Sequence, residues 1–193
     1  MDSIREITEL QRLLTSMIRI GKVVAADYAA ARVTVQIGDI TTAPLPFMTQ
    51  RAGENRNWSP VEVGEQVLLV CPSGDIDQAV VVGSLYQTSY PAPQSLPTVT
   101  TMVFKDGAEI EYDRVTHKLV ANLPSGGTFD VTADGGITLN GDVTINGNTA
   151  VNGDVNVDGL IDATGEITGS GIDLSTHTHS GVASGSSSTG GPQ

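Results

Sequence analysis

The sequence predicts an all-β protein in two regimes, a small closed barrel followed by a repetitive β-helical shaft, with one short helix ahead of the barrel. Three observations carry this. Gly135, Gly141, Gly147, Gly153, Gly159, Gly165 and Gly171 recur at an unbroken spacing of six. Short β-rich runs separated by turn residues fill residues 20–89. Only 4% of the 193 residues are aromatic while 22 are glycine, so large side chains are too few for a compact core throughout.

Charge divides the chain in the same way. Residues 1–118 hold all 10 Lys and Arg beside 14 acidic residues, whereas residues 119–193 hold 8 acidic residues and no Lys or Arg, for net charges of −4 and −8. The total of −12 opposes binding to a phosphate backbone, so no nucleic-acid partner is expected. The length excludes a large multidomain enzyme. The joint is Tyr90 to Pro97, YPAPQSLP, with three prolines in eight residues, and a Pro-rich linker is predicted over 90–101.

Residues 1–19 place Ile4, Ile7, Leu10, Leu13, Leu14, Met17 and Ile18 at helical spacing behind Asp2 or Ser3 as a cap, which predicts an amphipathic helix. Asp2, Glu6 and Glu9 stand where a signal peptide needs basic and then apolar residues, so synthesis in the cytoplasm without a signal peptide is expected. Over 20–89 the period changes to that of strands: IRIGKVVAA, ARVTVQIG, TTAPLPFM, EQVLLVC and QAVVVGSLY. Five such strands suit a small closed barrel of the OB type. OB barrels often bind single-stranded nucleic acid on aromatic platforms in a basic groove. Trp58 is the lone tryptophan here and the charge is acidic, which favours a structural docking module. Cys71, the one cysteine, excludes an intrachain disulfide and reads as a small core residue.

Residues 102–179 are predicted as the shaft. Asn140, Asn146, Asn152 and Asp158 precede repeat glycines, and the positions two and four after each glycine read Ile137 and Leu139, Val143 and Ile145, Thr149 and Val151, Val155 and Val157, Ile161 and Ala163. Alternation within a hexad sends each pair to one face of a short strand, and Asx-Gly supplies a corner of positive φ. The pattern is that of a β-helix. A single-chain left-handed β-helix is one solution. Two buried residues per hexad contribute roughly 3 to 6 kcal/mol, whereas ordering six residues costs about 9 kcal/mol, so one chain alone is marginal. Three chains wound about one axis share a core and remove the exposed strand edges, and a homotrimer is favoured. Upstream, residues 104–131 alternate polar and apolar and form the wider base. After Ile161 the inward positions become Ala163, Ile167 and Gly169, so the object tapers.

His177-Thr178-His179 follows the last hexads. In a strand the two rings point the same way about 6.6 Å apart. One His-x-His is weak evidence for metal, because two nitrogens fill too few coordination positions, and a solvent-exposed pair is the alternative. In a trimer the two histidines of each chain make an octahedral cage of imidazoles, which suits iron, cobalt or nickel better than tetrahedral zinc. Such a cage is closed to substrate and structural. His117 lies outside this motif. Residues 180–193, Gly- and Ser-rich, read either as a disordered tail or as a segment folded back over the cage.

Together the helix and barrel, the Asx-Gly hexads, HTHSGV at His177 to Val182 and the closing STGGPQ at Ser188 to Gln193 resemble the central spike, or baseplate assembly protein V, of contractile phage tails. The chain is most similar to spikes of the R-type pyocin kind. The resemblance implies an all-β fold in which an N-terminal OB-type barrel leads into an intertwined trimeric β-helix tapering to a metal-bound apex. It implies an iron ion shared by three chains, held by His177 and His179, with other axial ions left unassigned. It further implies baseplate and tail-tube partners, an outer membrane that is pierced rather than bound, and assembly into an extracellular tail particle after cell lysis. No enzyme is expected: the 90–101 interval is too short for the lysozyme insert of some tail spikes, and no nucleophile elbow is present. The rival reading is a trimeric β-helical adhesin or receptor-binding fibre tip, against which stands the absence of aromatic residues beyond Phe129.

Overall fold

The computed structural model describes residues 2–178, Gly181 and Gly185. The chain is mostly β with one short N-terminal helix, and it divides into two units, residues 1–130 and 131–193.

In the first unit, α1 (Asp2–Ser16) runs into β1 (Ile18–Asp27). The helix stops where pairing with the sheet begins: the Cys71 amide donates to the Met17 carbonyl at 2.7 Å, and Ile18 then faces Val70. Beyond β1 come β2 (Arg32–Ile37), β3 (Ile40–Thr41), β4 (Leu45–Pro46), β5 (Gln66–Val70) and β6 (Val80–Leu85). The run TTAPLPFM, expected to give one strand, contributes to the two short pieces β3 and β4. Pro44 and Pro46 lack the N–H that a continuous ladder needs.

The strands lie in the order β3-β2-β1-β5-β6, with β4 also on β2. Phe47 bridges Val81 in parallel fashion, and the Met48 amide donates to the Val81 carbonyl at 2.8 Å, so the sheet closes on itself. Register shifts between Val23 and Ala25 and between Leu68 and Leu69 supply the bends a small barrel requires. Strand alternation then sends Val23, Val33, Val35, Ile37, Leu45, Val67, Leu69, Cys71 and Val81 inward, all buried. Thr42 is buried among them with its hydroxyl accepting from the Val35 amide at 3.0 Å. Burial also pushes the Cys71 thiol pKa up.

A separate antiparallel sheet, β7 (Val99–Val103), β8 (Glu109–Asp113) and β9 (Lys118–Asn122), follows. Its β8–β9 turn is held by Asp113, whose carboxylate accepts from the Val115 amide at 2.9 Å and the Thr116 hydroxyl at 2.9 Å. Met102, Ile110, Tyr112 and Leu119 stay exposed on this sheet.

In the second unit the hexads pair with nothing in their own chain: among the described residues none is paired between Val131 and Ile167. The paired apolar positions are exposed throughout, Leu139 by 69% and Val155 by 69%. The single-chain β-helix would have shown ladders there and buried these pairs. The corner glycines also differ from expectation. Of the seven, Gly141 and Gly171 alone have positive φ, and a Cβ at Gly135, Gly147, Gly153, Gly159 or Gly165 would meet nothing within 4 Å. Neither backbone conformation nor crowding within one chain accounts for glycine at those five positions.

Candidate functional site

The described part of the apex is a β-hairpin, β10 (Thr168–Gly169) and β11 (Ile172–Asp173). Ser170 and Gly171, with φ of 52° and 78°, form its two-residue loop. Two successive residues of positive φ are what a tight hairpin of right-handed twist demands. Gly169, expected as an inward hexad position, and Gly171, the seventh repeat glycine, therefore belong to a hairpin instead. ITGSGID carried that signal in the sequence, a Gly-Ser-Gly flanked by β-formers, beneath the stronger period of six.

Side chains brace the hairpin outside its short ladder. Thr168 donates its hydroxyl to Asp173 at 2.7 Å. The Ser175 amide donates to Glu166 at 2.9 Å, and its hydroxyl donates to the same carboxylate. These donors, the Ser175 hydroxyl first and its amide second, hold the Glu166 carboxyl below the usual carboxylate range. The Leu174 amide donates to the Ile167 carbonyl at 2.9 Å. None of these partners was singled out from the sequence, because each joins residues several positions apart through a turn.

His177 sits directly after the hairpin. Its amide donates to the Asp173 carbonyl at 3.1 Å, and Nδ1 lies 2.9 Å from the Leu174 carbonyl. A carbonyl only accepts, so Nδ1 carries the proton in this contact. The ring is exposed. His179 and the segment from 180 to 193, apart from Gly181 and Gly185, lie outside the described residues. No group of three or more His, Cys, Asp and Glu able to hold a metal ion occurs among the described residues. His177 is thus the candidate ligand that lies among the described residues. His117 is in the other unit, in the β8–β9 turn with φ of 56°.

On the barrel, Phe47 and Trp58 form a tilted aromatic pair, ring centroids 6.0 Å apart. They line a cleft with Arg32, Pro46 and Asn57. Trp58 is 61% exposed.

Barrel and apex each match a known family. Residues 19–86 match the Type VI secretion system/phage-baseplate injector OB domain, and residues 171–193 match the GpV apex motif. An injector-type OB barrel near one end of a chain and this apex motif at the other place the protein among the baseplate spike proteins of contractile phage tails. It is 40% identical over 139 residues to the spike protein of Escherichia phage P2. That stretch is 72% of this chain and 64% of the phage P2 protein, just under two thirds of its length.

Proposed function

We propose that the chain is a non-enzymatic, membrane-piercing central spike, of the phage or R-type pyocin kind, working as a homotrimer. The observation that carries this is the hexad shaft. Its apolar pairs are exposed and without a ladder partner among the described residues, and five of its glycines have no explanation within one chain. Three chains wound about an axis account for both: each strand edge pairs with a neighbour, apolar pairs meet in a common core, and glycines let neighbouring backbones pass closely.

On this reading the barrel seats the trimer at the baseplate and tail tube, and the shaft transmits axial force as the sheath contracts. The apex then enters the outer membrane first. With no basic residue after Lys118, the shaft avoids adhesion to anionic lipid headgroups. No helix among the described residues is long and apolar enough to cross a membrane.

The described residues fit a metal at the apex as far as they go. His177 has its Nδ1 tied to the Leu174 carbonyl, which orients the ring. His177 and His179 of three chains would hold an iron ion, which would supply cross-linking of the tip rather than chemistry on a substrate. Residues 180–193 would fold back to cover it.

Sedimentation mass together with elemental analysis tests the assembly. Binding of the purified protein to target cells tests the role: a spike shows none without the sheath, and saturable binding would establish the adhesin instead.

A further inference from the structure

We propose that the three copies of α1 pack on one another as a short parallel bundle, with Ile7, Leu10 and Leu14 forming its seam and Met17 continuing it just past the helix end. This rests on the three-chain reading above.

The helix has three faces with different fates. One touches its own barrel: Leu13 is half-buried, and its carbonyl lies so close to Gly74 that a Cβ there would sit 2.7 Å away. A second face is polar and satisfied within the helix. Arg12 makes a two-pronged pair with Glu9 at 2.7 and 2.9 Å, and the hydroxyls of Thr8 and Thr15 donate to the Ile4 and Gln11 carbonyls. The third face is apolar and uncovered, with Leu14 exposed by 67%, Leu10 by 58% and Ile7 by 55%.

The spacing on that third face identifies its occupant. Positions 7, 10, 14 and 17 step by three, four and three, the seam of helices wound on one another. The charged side chains of Arg5, Glu9 and Arg12 fall on the far side at 100° per residue, while Glu6 falls at the edge of the seam. Ile4 and Gln11 widen the face by one side.

Attachment does the rest. The helix continues into β1, whose start is fixed by the Cys71 amide on the Met17 carbonyl, so the barrel holds the seam in one orientation. A three-fold axis relates copies without reversing them, so like seams meet in parallel. A helix of 15 residues is marginal in water on its own. Tethering three of them to one trimer raises their local concentration enough for two heptads to suffice.

The test uses the full chain labelled with pyrene maleimide at Leu10→Cys or, opposite the seam, at Arg12→Cys. Cys71 is fully buried and does not compete for the label. Excimer emission from the Leu10→Cys trimer, with only monomer emission from Arg12→Cys, is expected. A trimeric mass without excimer at Leu10→Cys, or with equal excimer at both positions, would overturn the bundle and leave the three-chain reading standing. A monomeric parent overturns both. As a second measurement, Leu10→Asp with Leu14→Asp should keep the trimer mass but accelerate tryptic cleavage after Arg12. Cleavage as slow as in the parent would show that the seam is not packed.

Discussion

Phe47 and Val81 lie side by side as the barrel's parallel pair, and the Met48 amide reaches the Val81 carbonyl at 2.8 Å. Every named strand pair of this sheet is antiparallel. This junction turns an open sheet into a barrel and places the Phe47 and Trp58 rings beside each other on its wall.

Closure makes the interior narrow, and Gly21 marks the tightest point. A Cβ there would lie 2.5 Å from Val35 Cγ1 and 2.7 Å from the Gln36 carbonyl oxygen. The carbonyl belongs to the ladder and cannot yield freely. Gly21→Ala should lower barrel stability by about 1 to 3 kcal/mol, read as a lower urea midpoint of the tryptophan fluorescence transition at unchanged slope. An unaltered midpoint would show that the β1–β2 pairing is looser than described.

The shaft should make the assembly obligate. Purified protein is expected near three times 20.0 kDa and resistant to hot detergent, because no strand leaves without breaking pairs on both sides. Val143→Asp or Val155→Asp would bring three carboxylates together in a dry core, where repulsion and desolvation oppose burial. Detergent gels of those variants should show monomer where the parent runs as trimer. A persistent trimer would mean that these positions face outward.

At the tip, replacing His177 and His179 by Ala should remove the iron while leaving the barrel and the trimer mass intact. Elemental analysis should find about one iron per three chains in the parent, the stoichiometry of one closed site on a three-fold axis. Retention of iron in the double variant would refute the ligand assignment. Rapid proteolysis of residues 180–193 in the intact trimer would refute the fold-back.

Glu166 gives the apex hairpin a pH dependence of definite sign. Its carboxyl is held below the ordinary range chiefly by the Ser175 hydroxyl and amide. A depressed folded pKa means the stabilisation is complete above the unfolded carboxylate range and is lost as pH falls through the lower folded value. Hydrogen-exchange protection of the Ser175 amide should persist through mildly acidic pH and vanish only below it. Glu166→Gln should flatten that profile, and a variant with the parent's profile would sink the assignment.

Local patterns in the chain determined the elements by themselves. Apolar spacing marked α1, β-rich runs between turn residues marked the barrel strands, and the unbroken six-residue glycine period marked a repeat. His177 stood out as a candidate for the same reason, since a His-x-His follows that repeat. Tertiary structure alone decided how the strands closed through Phe47 and Val81, how TTAPLPFM split, and how Ser170 and Gly171 turned the last repeats into a hairpin. It also decided that the Leu174 carbonyl meets the His177 ring and that Glu166 braces Ser175. Periodicity records which face a residue presents, because that is set by backbone geometry one residue at a time. Closure, hairpin bracing and a carbonyl's choice of imidazole nitrogen depend on groups that meet only after the chain has turned, and no spacing in the sequence encodes that distance.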